Sequence, residues 1–266
     1  MVPVVPAEPE AMDKPEQPES ELRRVCFYGG SFDPPHRAHL AIARVARVAL
    51  ALDQVLFAPV GTQPLKPQGG AASYEDRVAM TELAIAGEPG FAVSRIDAPC
   101  AATKPVRPRP NYTYPTLQQL RRQLGPGVQL YCLIGADSLA TLRQWYRAPE
   151  LLFQAVFVVA GRPGVALDSP ETLAPLLPEG VVCVAHCQAQ PIRAATPADP
   201  LVTAAHIEYT LRNPLGQQQR LVVLPHLADQ TSATTARALL VAGDAAVSAL
   251  IPPPVLDYIR SHKLYL

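Results

Sequence analysis

Short apolar runs of strand composition alternate along the chain with longer Ala-, Leu- and Arg-rich segments of helical composition. Strands are predicted at 25–28, 54–60, 91–96, 129–134, 155–160 and 220–224, with a further candidate at 181–185. Helices are predicted at 36–52, 74–86, 114–124 and 253–262, with a short one near Leu151 and another opening at Thr231. This alternation predicts an α/β fold. We expect a Rossmann-like, doubly wound parallel sheet with helices on both faces and a small C-terminal helical part.

Three segments lack this alternation. Residues 1–22 are rich in proline and acidic residues and have almost nothing to bury, which is typical of a disordered tail. Segments 98–110 and 186–219 contain several prolines and no clean period, so we interpret both as long insertions. Residues 23–266 are then expected to form a single domain carrying those two insertions.

Charge and cysteine content narrow the class of protein. The 23 Lys and Arg residues balance the 23 Asp and Glu residues, so no bulk attraction to nucleic acid or a membrane is indicated. An odd count of five cysteines without a signal peptide argues against a disulfide framework and favours the reducing cytoplasm. No apolar run approaches the length of a membrane span, and no set of residues has convincing metal-ligand spacing. The pattern leaves the oligomeric state open and is compatible with a homo-oligomer.

The most distinctive stretch, Gly29-Gly30-Ser31-Phe32-Asp33-Pro34-Pro35-His36-Arg37-Ala38-His39, joins the first strand to the first helix. Glycine lacks a Cβ and lets another group approach the backbone closely. A helix start supplies unpaired N–H groups and a partial positive charge, which suit phosphate. His36 and His39 share one face of that first turn. A bare Gly-Gly would be an ordinary strand-to-helix turn, but the whole combination favours a nucleotide-phosphate site.

Further candidates follow other predicted strands. Lys66 lies after the second strand, and Gly135-Ala136-Asp137 after the fourth, where open α/β sheets bind ligands. Asp137 is a candidate helix cap there, as are Ser73 and Thr113 for their own helices. Four hydroxyl residues and Arg237 at the helix start 231–237 predict a second anion site.

These stretches resemble a known family. The Gly-Gly motif is similar to the nucleotidyltransferase signature Gly-Gly-x-Phe-Asp-Pro-x-His-x-Gly-His, with Ala38 in place of the last glycine. The order of motifs resembles the bacterial nicotinate-mononucleotide adenylyltransferases over 24–160 and 220–265. Its matching segments are 111–117, 133–139, 145–147 and 232–237. Segment 232–237 differs from the family's usual Ser-Ser-Thr-x-Ile-Arg, with Ala233 in place of the second serine and Ala236 in place of the isoleucine.

The resemblance implies adenylyl transfer from ATP to nicotinate mononucleotide, giving nicotinate adenine dinucleotide and pyrophosphate, a step of NAD biosynthesis. It implies catalytic roles for His36, His39, Lys66 and Arg237, with Mg²⁺ bound together with ATP. The implied ATP-binding residues are Gly29, Gly30, Ser31, Phe32, His36, His39, Gly135, Asp137, Ser232, Thr234 and Arg237. Trp145 would stack on the pyridine ring, and Thr113 and the Tyr146 backbone would bind the nicotinate carboxylate.

Two alternatives remain open at this point. One is another transferase of the superfamily, such as phosphopantetheine adenylyltransferase or a cytidylyltransferase. Those chains are typically shorter, and Trp145-Tyr146 argues against them. The other is a nucleotide sensor without catalytic activity, which the presence of both histidines, Lys66 and Arg237 disfavours. Turnover with ATP and nicotinate mononucleotide separates these classes.

Overall fold

A computed structural model describes residues 22–64, 70–99, 110–161, 166–188, 206–224 and 231–265. Within these residues, eight strands and nine α-helices follow one another along the chain. The strands are β1 (Arg23–Gly30), β2 (Gln54–Pro59), β3 (Phe91–Val93), β4 (Val128–Gly135), β5 (Val156–Ala160), β6 (Val182–Gln188), β7 (Ile207–Arg212) and β8 (Gln218–Leu224). The helices are α1 (Arg37–Ala49), α2 (Tyr74–Ile85), α3 (Thr113–Leu124), α4 (Ala136–Thr141), α5 (Ala148–Leu151), α6 (Pro170–Leu173), α7 (Ala233–Val241), α8 (Val247–Leu250) and α9 (Pro253–Ser261).

All these strands form one sheet in the order β3-β2-β1-β4-β5-β8-β7-β6. The first six strands in this spatial order (β3, β2, β1, β4, β5 and β8) run parallel. Strands β7 and β6 add an antiparallel extension at one edge. The predicted doubly wound class is confirmed. The strand order reverses between β1 and β4, and open α/β sheets bind ligands in the crevice outside the carboxyl ends at such a point.

Apolar side chains alternate across this sheet and form a core on each face. Cys26 and Tyr28 of β1 point into the core that α1, α7 and α9 cover, with Leu40 and Ile259 among its buried residues. Phe27 points into the opposite core, which α3, α4 and α5 cover. Burying a leucine, isoleucine or phenylalanine side chain contributes about 1.5–3 kcal/mol. The two cores thus hold the ends of β1 and β4 in fixed positions.

Segment 186–219, interpreted as an insertion without a clean period, contains strand residues where the structure describes it. Strand β6 continues through Gln188, and β7 lies entirely within the segment. Residues of β7 alternate in burial, with Tyr209 and Leu211 buried, so its pattern was readable in the sequence. Most β6 side chains are exposed. Because neither face of the strand is buried, its last residues do not alternate between apolar and polar. The register between β6 and β7 shifts between Cys183 and Ala185.

Helix caps were predicted with mixed success. Ser73 caps α2, accepting a hydrogen bond from the Asp76 N–H as expected. Thr113 is instead the first residue of α3, and Tyr112 precedes it at the N-cap without a capping side chain. Asp137 is likewise not a cap, because Gly135 ends β4 and α4 begins directly after it. The predicted tail and Lys66 fall outside the described residues.

Strand β3 ends at Val93, three residues before the predicted end at Ile96. None of the helices in the described ranges is long and apolar enough to cross a membrane.

Candidate active site

A cavity of about 670 Å³ opens at the carboxyl ends of β1 and β4, where the sheet order reverses. Its lining includes these residues predicted from the sequence: Gly29, Gly30, Ser31, Phe32, His36, His39, Thr113, Gly135, Asp137, Trp145, Tyr146, Ser232 and Thr234. Arg237 is described but does not line the cavity. The residues predicted to bind the two halves of a dinucleotide therefore meet around one space.

The loop from β1 to α1 forms one wall of the cavity. Gly29 and Gly30 are the last residues of β1, and the left-handed backbone that reverses the chain belongs to Phe32, with φ 47°. A Cβ on Gly30 would lie 3.1 Å from the Phe32 ring, so glycine allows the ring to fold back over the strand end. The buried Phe32 ring then lies 5.0 Å from the ring of His39.

The two histidines stack on each other at the start of α1. Their ring centroids are 3.7 Å apart, and the His36 N–H donates to Nδ1 of His39 at 3.1 Å. A neutral imidazole that accepts at Nδ1 carries its proton on Nε2. Burial, and then the neighbouring His36, hold the pKa of His39 well below its usual value of 6.5. His39 is therefore a neutral hydrogen-bond donor in the cavity wall.

Helix α7 brings a second helix start to the same cavity. The Ser232 Oγ caps it by accepting from the Thr235 N–H at 3.1 Å. Arg237 donates to the Asp33 carbonyl at 2.6 Å and to the Thr234 Oγ1 at 3.4 Å. The guanidinium is thus held between α7 and the β1–α1 loop, directly behind the cavity wall. The first turns of α1 and α7 offer unpaired N–H groups of the kind that bind phosphate.

A group of aromatic side chains, Tyr112, Trp145 and Tyr146, also lines the cavity. Trp145 is partly buried, and its Nε1–H donates to the Thr141 Oγ1 at 3.3 Å. Thr113, as the first residue of α3, presents an N–H that has no acceptor within the helix. The rings of Tyr112 and Tyr146 lie 5.0 Å apart beside it. Tyr112 is the N-cap of α3, and its backbone carbonyl accepts from the Thr116 N–H at 3.3 Å.

Asp97 is a cavity residue that the sequence reasoning missed. Only 5% of its surface is exposed, and its Oδ1 accepts from the Thr116 Oγ1 at 2.6 Å. Burial raises the pKa of this carboxyl to about 6, against the smaller opposing effect of the Thr116 hydrogen bond. Asp97 directly follows the third predicted strand. The rule that singled out Lys66, a polar residue after a strand's carboxyl end, would have found it.

The described cavity lining contains no lysine or arginine, so phosphate would meet neutral donors and helix starts there. In the same ranges, no group of three His, Cys, Asp or Glu residues could hold a metal ion. Mg²⁺ commonly binds through substrate phosphates and keeps several waters. A lining of this kind fits Mg²⁺ carried by a nucleotide rather than held in a protein cage.

Comparisons with known proteins agree with this geometry. A family model described as cytidylyltransferase-like matches residues 27–195. A probable nicotinate-nucleotide adenylyltransferase of Gloeobacter violaceus is 36% identical over 243 residues, covering 91% of this chain and 96% of the relative. One of Synechococcus is 34% identical and covers 94% and 98%. The Plasmodium falciparum nicotinic acid mononucleotide adenylyltransferase complexed with NaAD has the same fold. Its TM-score is 0.63 at 17% identity, with 91% and 97% covered.

Proposed function

The chain belongs to the cytidylyltransferase-like family, among its nicotinate-nucleotide adenylyltransferases, and we infer that it transfers the adenylyl group of ATP to nicotinate mononucleotide. The products are nicotinate adenine dinucleotide and pyrophosphate, and the reaction is a step of NAD biosynthesis. The observation that carries this inference is one shared cavity that two helix starts, the histidine pair and Trp145 all line. We further propose that the enzyme works in the cytoplasm without a nucleic-acid partner.

The reaction requires the two substrates to be aligned and their negative charges to be neutralised. The phosphate oxygen of the mononucleotide attacks the α-phosphorus of ATP, and the bond from that phosphorus to the β-phosphate oxygen breaks. The attacking phosphate is mostly dianionic near neutral pH, because its second pKa is about 6. No general base is therefore needed. The obstacle is repulsion between two polyanions, which positioned donors and cations reduce in the transition state.

The histidine pair has the chemistry for that task. A neutral His39 can donate its Nε2–H in a hydrogen bond to a phosphate oxygen. It does not act as a general acid near neutral pH, because its low pKa leaves the ring without a second proton. Gly30, Ser31 and Phe32 would contribute N–H groups from the adjoining loop, and His36 would contact the phosphates beside His39. The His39 Nδ1 already accepts from the His36 N–H, so Nε2 is the atom left to donate to phosphate.

Residues outside the β1–α1 loop would make the remaining ATP contacts. Lys66 and Arg237 would hold the pyrophosphate, with Ser232 and Thr234 at the start of α7. Mg²⁺ bound with ATP supplies further neutralisation of the phosphate charge. Gly135 and Asp137, at the junction of β4 and α4, would contact the adenosine.

The acceptor end would distinguish a carboxylate from a carboxamide. Backbone N–H groups of Thr113 and Tyr146 favour a group that only accepts, whereas a carboxamide would turn its NH₂ toward one of these donors. A hydrogen bond to a charged group contributes about 1.5–3 kcal/mol, which is a factor of roughly 10–150 in kcat/KM. Two such bonds give an expected preference for nicotinate over nicotinamide mononucleotide of at least roughly a hundredfold.

Initial rates with each mononucleotide, at fixed ATP and Mg²⁺, test the proposal. Pyrophosphate release that depends on nicotinate mononucleotide, with the expected preference, supports it. Equal kcat/KM values for the two mononucleotides would overturn the substrate assignment. No turnover with either would redirect the search to other transferases of the superfamily. Phosphopantetheine with ATP, and acceptors of cytidylyl transfer with CTP, would be tried first.

A further inference from the structure

The loop that carries the proposed phosphate contacts is held in place by one buried carboxylate. Asp33 is 4% exposed and lies between Phe32 and His36. Its Oδ2 accepts from the Ala71 N–H at 2.7 Å, and its Oδ1 accepts from the Ala72 N–H at 3.1 Å. The third donor to this carboxylate is the hydroxyl of Tyr265, at 2.5 Å from Oδ1. Residues 232 positions apart in the sequence thus meet at the active-site loop.

Tyr265 acts as the hydrogen-bond donor in its contact with Asp33. It follows α9 in a left-handed backbone conformation, with φ 60°, and its partly buried ring packs against the core beside α1 and α9. Burial, and then the hydrogen bond to Asp33, raise the pKa of its phenol far above the usual value of 10. The hydroxyl therefore keeps its proton near neutral pH and donates it in the hydrogen bond to Asp33.

Asp33 also connects the loop to Arg237, which is proposed to hold pyrophosphate. Its backbone carbonyl accepts from the Arg237 guanidinium at 2.6 Å. Any shift of Asp33 would move the histidine loop and the Arg237 guanidinium together. Misplacing reacting groups by about 1 Å can reduce a rate roughly a hundredfold.

We propose that Tyr265 is a positioning residue for the reaction, holding Asp33 so that the β1–α1 loop and Arg237 keep the geometry that adenylyl transfer needs. The proposal rests on the proposed function. It predicts an effect on the phosphate end of the cavity and none on the pyridine end, where Thr113 and Trp145 lie.

The chain offers a matched control. Tyr258 of α9 also donates its hydroxyl to a carboxylate, Oδ1 of Asp76 at 3.0 Å, but Asp76 belongs to α2 and not to the β1–α1 loop. Tyr265→Phe and Tyr258→Phe each keep the ring and remove one phenol–carboxylate hydrogen bond. Both variants should fold, with the larger loss of thermal stability in Tyr265→Phe, because Asp33 is buried and Asp76 is only partly buried. A purely structural contribution would lower Tm in each variant and leave kcat unchanged in both.

Steady-state kinetics and ATP titration calorimetry with both full-length variants test the proposal. Tyr265→Phe should lower kcat roughly 10- to 100-fold and raise KM for ATP, with KM for nicotinate mononucleotide unchanged. Tyr258→Phe should match the wild type. Wild-type kcat in Tyr265→Phe, or an equal rise in both KM values, would overturn the role of Tyr265. If the wild type does not turn over at all, the proposed function fails instead. Calorimetry then decides on Tyr265, since unchanged ATP affinity in Tyr265→Phe would reject its role.

Discussion

Replacing Asp97 with asparagine should stabilise the protein at neutral and alkaline pH. Burial raises the pKa of this carboxyl from its usual 3.8 to about 6, so the ionised form is disfavoured in the folded state. Because the folded-state pKa lies above the unfolded-state value, the ionised carboxyl lowers the free energy of unfolding. This loss is fully present above pH 6 and disappears as pH falls toward 3.8. Asparagine carries no charge and can still accept from the Thr116 Oγ1, so the substitution removes the charge and keeps the contact.

The expected size follows from the shift in pKa. A rise of about two pH units, at 1.36 kcal/mol each, gives a gain of about 3 kcal/mol at pH 8 and about half of that at pH 5. For a chain of this size the gain at pH 8 raises Tm by roughly 6–12 °C. Thermal melts at pH 5, 6, 7 and 8 measure the difference between variant and wild type.

Asp76 provides a control of opposite sign. Its pKa is lowered, first by the Ser73 hydroxyl, so its ionised form stabilises the fold above its unfolded-state pKa. Asp76→Asn should therefore reduce Tm at pH 8, with the loss shrinking as pH falls. A Tm gain for Asp97→Asn that is the same at every pH, or a loss at pH 8, would refute the assignment of a costly buried charge to Asp97.

Three further outcomes are expected. His39→Asn keeps an acceptor for the His36 N–H but removes Nε2, so kcat should fall roughly 10²–10³-fold with little change in Tm; a wild-type kcat would remove His39 from the mechanism. Trp145→Ala should raise KM for nicotinate and nicotinamide mononucleotides by a similar factor, because stacking does not distinguish carboxylate from carboxamide; a selective effect would contradict stacking. Deleting residues 1–20 should leave kcat and Tm unchanged, and a Tm drop of several degrees would show that this segment packs on the domain.

The parts of the site that the sequence predicted are those determined by local rules. A strand followed by Gly29-Gly30 and two histidines at helical spacing places both imidazoles at a helix start, whatever surrounds them. The hydroxyl-rich start of α7 is similar, and Ser232 caps that helix. Such features depend on neighbours within a few residues, so they can be read without the fold.

The parts that were missed depend on contacts between distant segments. The hydrogen bond between Tyr265 and Asp33 joins the two ends of the described chain, and no local pattern marks it. The N-cap of α3 was assigned to Thr113 from its hydroxyl, whereas Tyr112, which has no capping side chain, occupies that position. The candidate strand at 181–185 corresponds to β6, but its continuation to Gln188 was missed, since both faces of the strand are largely exposed.

The register shift between Cys183 and Ala185 has a consequence for how copies of the protein meet. In the described part of the chain β6 is the outermost strand, with Val182 and Val184 48% and 40% exposed. A regular apolar edge strand offers a row of backbone groups on which another chain can add a strand and begin aggregation. A bulge twists and interrupts such an edge. The irregularity at Val184 thus protects an apolar strand from uncontrolled sheet growth without the charges that usually guard an edge.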